Sequence, residues 1–268
     1  SIIDNKINSV IVDGITLLAG DYTTVRATVI EGNQVFNSDA RGISVFAANV
    51  SVAGGTTTVN EIQVEDNQVI DVGTVGIQFS GTRTTGTRSF YDINILDNQV
   101  RTTGSHGIEV ACDVANFNLS AVSINDNRLR SNGTDTNTDS AIYVSMDSNT
   151  SGGSSKFDIN GNDIVAPNDS TFAAIYLHMA DDHLADVSIS DNQIYDAFNT
   201  GIVGSGIRVA IDGAGSKYLD HLLIANNTIR SQKSCLSIES TGEVTNLSIS
   251  DNIFEAGTAG TILDPARP

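Results

Sequence analysis

The sequence predicts an all-β fold in which the chain winds as a parallel β-solenoid, and three recurring patterns support this prediction. The first is a short motif: an apolar residue, any residue, an acidic or small residue, Asn, any residue and an apolar residue. It recurs at intervals of 25 to 35 residues, with its Asn at Asn5, Asn33, Asn67, Asn98, Asn127, Asn162, Asn192, Asn227 and Asn252. A repeat of this length is typical of solenoids, whose units stack along one axis.

The second pattern is a pair of apolar columns that flank the Asn. The residues three positions before it are Ile2, Ile30, Val64, Ile95, Ile124, Ile159, Ile189, Ile224 and Ile249. The residues two positions after it are Ile7, Val35, Val69, Val100, Leu129, Ile164, Ile194, Ile229 and Phe254. Because only 40% of the chain is hydrophobic, two unbroken columns indicate positions that face a core.

The third pattern is a strand signal that begins with Gly or Ala and alternates polar and apolar residues. It covers residues 42–45, 76–79, 107–110, 141–144, 174–177 and 206–209. The corners between these segments are too short for crossover helices, so each strand can pair only with its counterpart in the next repeat, in parallel.

The repeated Asn is predicted to lie at the tightest corner of each repeat. We expect the Asn itself to adopt the left-handed backbone conformation, which Asn tolerates better than any residue except Gly. Its side-chain amide can then hydrogen-bond to the Asn of the next repeat, which predicts an Asn ladder along the corner.

These motifs resemble the right-handed parallel β-helix of the pectate-lyase-like superfamily. The resemblance implies about nine rungs of three strands in one domain over residues 1–268, with the Gly-Ile segment first, the strand before the Asn second and the strand after it third. Hydrolases, lyases, epimerases, phage tailspikes and inert adhesins share this fold, so the resemblance does not decide the function. Both ends interrupt a rung, and we expect the chain to be a fragment of a longer protein.

Composition excludes two classes of partner. The chain has 32 Asp and Glu against 14 Lys and Arg, a net charge of −18, which repels nucleic acid and anionic membrane surfaces. No apolar run approaches the about 20 residues of a membrane span. EF-hand and nonapeptide calcium patterns are absent from the sequence, and we predict no metal site and no cofactor.

Side chains that alternate with the core positions of the Gly-Ile strands are predicted to face solvent in files, at about 4.8 Å per step. The nearer file is Gln78, Glu109, Tyr143, Tyr176, Arg208 and Ser237, and the middle file is Ser80, Ala111, Ser145, His178, Ala210 and Glu239. An outer file, at the far ends of the same strands, contains Asp113, Asp147 and Asp212. Insertions at residues 80–89, 148–156 and 213–219 would wall a groove beside these files.

The files predict a sugar site. Tyr143 and Tyr176 would give a flat apolar face for sugar rings, while Gln78, Arg208 and Asp113 would bind hydroxyl groups. Neighbouring carboxylates raise the pKa of one another, as a general acid requires. The candidate pairs are Glu109 with Asp147, Asp212 with Glu239, and Asp147 with Asp212; retaining hydrolysis needs about 5 to 5.5 Å between carboxyl groups and inverting hydrolysis about 6.5 to 9.5 Å.

A lyase or epimerase is the alternative chemistry. It would use His178 or a Tyr as the base and Arg208 to neutralise a uronate carboxylate. The acidic surface favours neutral or mixed glycans over polyuronates. The remaining histidines, His106, His183 and His221, are predicted to be surface residues.

The resulting hypothesis is an extracellular or virion-associated β-helix that binds and cleaves a polysaccharide, with hydrolysis favoured over elimination. The alternative is a catalytically inert structural or adhesin module. Tailspike-like shafts commonly form homotrimers, so Leu18, Phe46 and Phe198 are candidates for a subunit contact.

Overall fold

The computed structural model describes residues 1–20, 22–48, 56–82, 87–112, 117–132, 139–146, 154–166, 171–179, 184–196, 205–211, 218–231, 234–240, 243–256 and 262–264. These segments are strands joined by short turns, and the chain passes from sheet A to sheet B to sheet C and back to sheet A. Within these segments no helix is long and apolar enough to cross a membrane.

Each sheet contains nine strands among the described residues. Sheet A consists of β1 (Ile2–Ile3), β4 (Thr24–Glu31), β7 (Thr56–Glu65), β10 (Thr87–Leu96), β13 (Phe117–Asn125), β16 (Ser154–Asn160), β19 (Leu184–Ser190), β22 (Tyr218–Ala225) and β25 (Glu243–Ser250). Sheet B consists of β2 (Lys6–Val10), β5 (Gln34–Ser38), β8 (Gln68–Val72), β11 (Gln99–Thr103), β14 (Arg128–Asn132), β17 (Asp163–Ala166), β20 (Gln193–Asp196), β23 (Thr228–Ser231) and β26 (Ile253–Ala256). Sheet C consists of β3 (Ile15–Ala19), β6 (Ile43–Ala48), β9 (Ile77–Thr82), β12 (Ile108–Cys112), β15 (Asp139–Met146), β18 (Thr171–Met179), β21 (Ser205–Ile211), β24 (Ser234–Ser240) and β27 (Ile262–Asp264).

The predicted parallel solenoid is confirmed. Each strand pairs in parallel with the strand three places along the chain, as in β9 with β12 and β12 with β15. The three sheets enclose one core, into which the apolar columns point. The sheet C column shows the quality of the packing, because its side chains are fully buried at Ile43, Ile77, Ile108, Ile142, Ile175 and Ile207. Burial of each such side chain stabilises the fold by about 1.5 to 3 kcal/mol.

The predicted Asn ladder is also confirmed, and it runs through all nine Asn residues. The Nδ2 group of each of the first eight Asn residues donates to Oδ1 of the next at 2.9 to 3.1 Å. The backbone N–H of each of these eight donates to the same Oδ1 atom at similar distances. The inner members of the ladder are buried, so the amides satisfy backbone groups that water cannot reach.

The prediction that the Asn itself adopts the left-handed conformation is wrong. The left-handed residue is the one before it, and it is Asp4, Gly32, Asp66, Asp97, Asp126, Gly161, Asp191, Asn226 or Asp251, with φ between 53° and 66°. Asp, Asn and Gly are the residues that tolerate this conformation at least cost. The corner therefore divides two tasks between adjacent residues: the first turns the backbone, and the buried Asn supplies both a donor and an acceptor.

A second left-handed column bends sheet A in the middle of its strands, and the sequence did not predict it. Its members are Ala27, Glu61, Asp92, Ala121, Lys156, Asp186, His221 and Asn246. The strand pairing skips these positions, as between β10 and β13, where Tyr91 pairs with Ser120 and Ile93 with Val122. The residue types share no property that would mark a turn, which explains why the bend escaped prediction.

Candidate functional site

The candidate site lies on the outer face of sheet C, where the structure confirms the predicted alignment of the two files. The nearer file follows the strand register from Gln78 through Glu109, Tyr143, Tyr176 and Arg208 to Ser237. The middle file follows the same register through Ser80, Ala111, Ser145, His178, Ala210 and Glu239. Residues about thirty positions apart in the sequence are thus direct neighbours.

Part of the predicted site, the substrate-binding Asp113 and the catalytic Asp147 and Asp212, falls outside the described residues. The predicted pairs Glu109 with Asp147, Asp212 with Glu239 and Asp147 with Asp212 therefore stay predictions. In the described segments, no group of three or more His, Cys, Asp or Glu residues is arranged to hold a metal ion.

The outer face of sheet C is less exposed than predicted. Tyr176 is 9% exposed, Gln78 is 8% exposed, and Ser145 and Ala210 are fully buried. For Tyr176 and Ala210 the reason is a second apolar cluster on the outside of the sheet, in which Tyr176, Ala173 and Ala210 pack together with Tyr143 against them. The middle of these files is therefore a packed layer, whereas the Glu239 side chain at one end is 42% exposed.

The aromatic rings of this layer stack on one another along the solenoid. The ring centroids are 4.5 Å apart for His106 and Tyr143, 5.4 Å for Tyr143 and Tyr176, and 5.6 Å for Tyr176 and His178. The Arg208 guanidinium lies 5.3 Å from the centroid of the Tyr176 ring. The ring faces are thus occupied by neighbouring rings and by a cation, so the predicted flat face for sugar rings does not form.

His106 is a member of the site that the sequence analysis missed, having placed it on the surface. Its Nδ1 accepts a hydrogen bond from the backbone N–H of Ser140 at 3.0 Å. Burial lowers the pKa of His106 to about 4, although the nearby Asp139 charge acts in the opposite direction. At neutral pH the imidazole is neutral, and because Nδ1 is the acceptor, Nε2 carries the proton. The sequence signal for this role was the position of His106 just before the Gly-Ile strand, next to a file that contains aromatic residues.

The charged groups of the two files are held by their neighbours. At one end, Gln78 Nε2 donates to Glu109 Oε2 at 3.1 Å. At the other end, Arg208 donates to Glu239 Oε2 at 2.6 Å, and Ser237 Oγ donates to Glu239 Oε1 at 2.8 Å. Both oxygens of Glu239 are therefore engaged within the protein, which suits a positioning function better than proton transfer.

Sheet B carries a second group of one Tyr, one Arg and one Glu side chain, which is more exposed than the Tyr176, Arg208 and Glu239 group of sheet C. Tyr195, Arg230 and Glu255 follow one another across β20, β23 and β26. The Arg230 guanidinium lies 5.7 Å from the Tyr195 ring centroid, and it pairs with Glu255 at 2.7 Å. The Arg230 side chain is 57% exposed, whereas that of Arg208 is 15% exposed. The protein thus contains its own exposed counterpart of the Tyr176, Arg208 and Glu239 trio.

The bend of sheet A forms two shallow grooves. One, of about 470 Å³, is lined by Lys156, Asp158, Asp186, Ser188, His221 and Leu223, among others. The other, of about 330 Å³, is lined by Ala27, Val29, Glu61, Gln63, Asp92 and Asn94. His221 is 60% exposed and lies 3.1 Å from Asp220, so it is a surface residue as predicted; His183 lies outside the described residues.

Comparison with known proteins gives one weak likeness. No protein-family model and no curated protein matches the chain. Among solved structures, the chain is similar to the catalytic unit of a thermostable GH87 alpha-1,3-glucanase from Streptomyces thermodiastaticus strain HF3-3, with a TM-score of 0.25 and 13% sequence identity. The likeness covers 98% of this chain and 63% of that chain. The chain therefore spans less than two thirds of the length of that glucanase unit.

Proposed function

We propose that this chain is a polysaccharide-binding β-helix whose binding site is the outer face of sheet C. The observation that carries the proposal is the alignment of Glu109, Tyr143, Tyr176, His178 and Arg208 in two adjacent files along the axis. Such files repeat hydrogen-bonding groups about every 4.8 Å, which suits a linear polymer with hydroxyl groups on every unit. The solenoid in this proposal is right-handed, has about nine rungs and is of the pectate-lyase-like type.

The proposed mode of binding is hydrogen bonding to the edges of the stacked rings. The ring faces are occupied, so the Tyr hydroxyls and the flanking amide, imidazole and carboxylate groups contact the sugar. A stack that is already ordered loses little conformational freedom when a ligand binds, which favours affinity. The ligand is a neutral or mixed glycan, because the charge of −18 repels a dense polyanion.

Cleavage is the second part of the proposal, with hydrolysis favoured over elimination. Asp147 and Asp212 are the proposed acid and base. Glu109 and Glu239 are the described carboxylates on the strands next to theirs, β12 beside β15 and β24 beside β21. Arg208 is committed to Glu239, which makes it a weaker candidate for the uronate clamp of a lyase. Extracellular or virion-surface localisation is proposed with this activity.

The test uses the full chain, a panel of neutral and mixed-charge polysaccharides, and separate readouts for binding and chain length. Tyr176→Ala should weaken binding about tenfold or more, since it removes a hydroxyl and opens the stack. Tyr195→Ala is the matched control on sheet B and should bind as the wild type does. Tyr143→Phe and Tyr176→Phe keep the stack and remove only the hydroxyls, so they test the edge contacts in a folded protein. If none of the substitutions at Tyr143 and Tyr176 changes binding, the sheet C site is excluded.

Cleavage is tested by Asp147→Asn and Asp212→Asn, which should retain binding and stop chain shortening. If no polysaccharide in the panel is shortened, the hydrolase part of the proposal fails, although binding can still stand. If none is bound either, the whole proposal fails.

An inert structural module is the second candidate function, and the packing of the files favours it. Residues that contact one another and are largely buried can serve to lock successive coils together. A homotrimer is proposed with this candidate, and Leu18, Phe46 and Phe198 are the residues predicted for the subunit contact. Leu18 is 59% exposed, and Phe46 lies beneath the Arg41 guanidinium at 4.9 Å. Phe198 is outside the described residues. Sedimentation equilibrium of the wild type and of Leu18→Ser distinguishes a trimer from a monomer.

A further inference from the structure

The outer face of sheet B carries a cluster of three guanidinium groups. Arg128 and Arg130 lie on β14, on either side of the buried Leu129, and Arg101 on β11 is the register partner of Arg130. Neighbouring strands are about 4.8 Å apart and alternate residues about 6.6 Å apart, so the three side chains share one small patch. They are three of only 14 basic residues in a chain with 32 acidic ones.

The positive charge of this patch is not balanced by described carboxylates. Asp163 contacts both Arg130 and Arg128, the latter with 3.7 Å between Arg128 Nε and Asp163 Oδ2. Among the described residues, no carboxylate lies within 4.0 Å of Arg101, and the corner residues Asp97 and Asp126 form no ion pair with the patch. One described carboxylate therefore pairs with two of the three guanidinium groups, and no described carboxylate pairs with Arg101. Like charges at directly opposed positions destabilise a sheet, so an anion bound between them would relieve this repulsion.

The three arginines differ in how firmly they are held. Arg130 is anchored, since its Nη1 atom donates to the backbone oxygens of Asp163 at 2.9 Å and of Leu129 at 3.1 Å. The Arg128 side chain is 61% exposed, and Arg101 is exposed as well. The patch thus combines one fixed guanidinium with two that can adjust to a ligand.

We propose that Arg101, Arg128 and Arg130 form a binding site for one oxyanion group, a carboxylate or a sulfate, carried by an otherwise neutral glycan. Guanidinium groups bind planar and tetrahedral oxyanions through paired hydrogen bonds. Gln99 is the register partner of both Arg128 and Gln68, and these two amides lie where neighbouring hydroxyl groups can be bound. The inference takes its ligand class from the proposed function, but the site is on a different sheet.

The charge of the molecule argues against the other polyanions. A net charge of −18 repels nucleic acid and anionic membranes at close approach, within the screening length of about 8 Å at physiological salt. Among the described residues the patch has two more guanidinium groups than paired carboxylates, and a sparsely charged saccharide, whose anionic groups are separated by neutral units, matches this excess. An acidic glycan is therefore the ligand that this patch fits best.

The experiment compares matched ligands: dextran, dextran with a low degree of sulfation, and carboxymethyl dextran of the same length. Binding to the full chain is titrated by fluorescence anisotropy at about 50 and about 200 mM salt. Wild type should bind at least one anionic dextran about tenfold more tightly than dextran, and the preference should shrink at the higher salt. The double variant Arg101→Gln, Arg128→Gln should lose that preference, whereas Arg230→Gln on the same sheet should keep it.

Three results would overturn the inference. These are equal affinity for charged and uncharged dextrans, an unchanged preference in the double variant, and equally tight binding of single-stranded RNA, which would mean a non-specific polyanion surface. The substituted arginines are exposed, so circular dichroism of the double variant should match the wild type. Loss of dextran binding in Tyr176→Ala, by contrast, reports on sheet C and leaves the charge preference of sheet B to be judged separately.

Discussion

Substitution of Asn127 tests the corner ladder most stringently, because this residue is fully buried at the middle of it. Its Oδ1 accepts from the backbone N–H and from Nδ2 of Asn98, each at 3.0 Å. Its Nδ2 donates to the backbone oxygens of Ile95 and Asn125, each at 2.9 Å, and to Oδ1 of Asn162 at 3.1 Å.

Asn127→Ala removes all of these side-chain bonds, but their loss has unequal consequences. The backbone N–H of Asn98 would lose its one described acceptor, which costs about 1 to 3 kcal/mol. The Asn125 oxygen keeps the hydrogen bond from the Asp97 N–H, so this bond and the remaining ones cost about 0.5 to 1.5 kcal/mol each. The sum predicts a loss of about 3 kcal/mol or more in the free energy of unfolding.

Asn127→Asp keeps the shape and changes one atom. The oxygen that replaces Nδ2 would face three other oxygens, and the carboxylate would be buried without a cation, so we expect a larger loss than for Asn127→Ala at neutral pH. Protonation restores one donor, and the difference between the two variants should narrow as the pH falls. Urea unfolding followed by circular dichroism measures both changes. The exposed neighbour is the control, since Asp126→Asn should shift stability by less than about 0.5 kcal/mol. A neutral-pH stability for Asn127→Asp equal to that of the wild type would refute the reasoning.

Three further predictions concern the backbone and the half-buried His106. Ala121→Gly should raise stability by up to about 1 kcal/mol in thermal unfolding, because Ala121 has φ 52° and Gly adopts this conformation without strain; a loss of stability would contradict the strain. Gly42→Ala should cost about 1 to 3 kcal/mol, since the added Cβ would lie 2.2 Å from Cγ1 of Val69, whereas Gly20→Ala, which meets no atom within 4 Å, should be neutral. His106 has a folded-state pKa of about 4, below its ordinary value of 6.5, so the unfolded state binds more protons between these values. Its contribution to stability is fully present above pH 6.5 and is lost as the pH falls toward 4. His106→Gln should flatten this dependence in urea titrations, and an unchanged slope would show that His106 is not its source.

The parts of the fold that the sequence predicted are those encoded by residue type at a fixed spacing. The apolar columns around Asn98 and Asn127, and the alternation in 107–110, were sufficient to predict parallel strands, one core and the register of the sheet C files. Each prediction depends on burial of a side chain, and burial leaves a pattern in the sequence.

The parts that were missed depend on backbone and ring geometry. The left-handed bend at Ala121 leaves no pattern in the sequence, because the equivalent positions of the neighbouring strands are occupied by residues as different as Asp92 and Lys156. The alignment of Tyr143 and Tyr176 was predicted, but alignment alone does not say whether the rings lie side by side or face to face. The left-handed conformation was assigned to the Asn, but it belongs to the residue before it. Both Asp and Asn tolerate a left-handed turn, so residue type did not separate the two positions. Only the Asn amide can both donate and accept hydrogen bonds in the ladder.

Disulfide cross-linking between designed cysteine pairs tests the central claim, that residues about thirty positions apart lie in register on adjacent strands. Gln63 pairs with Asn94, and Asn94 pairs with Ser123, so Gln63 is about 4.8 Å from the first partner and about 9.6 Å from the second. A disulfide requires Cα atoms less than about 7 Å apart. The account predicts that Gln63→Cys with Asn94→Cys forms an intramolecular disulfide under mild oxidation, detected by peptide mass spectrometry, and that Gln63→Cys with Ser123→Cys does not. Cross-linking of the second pair in preference to the first would contradict it.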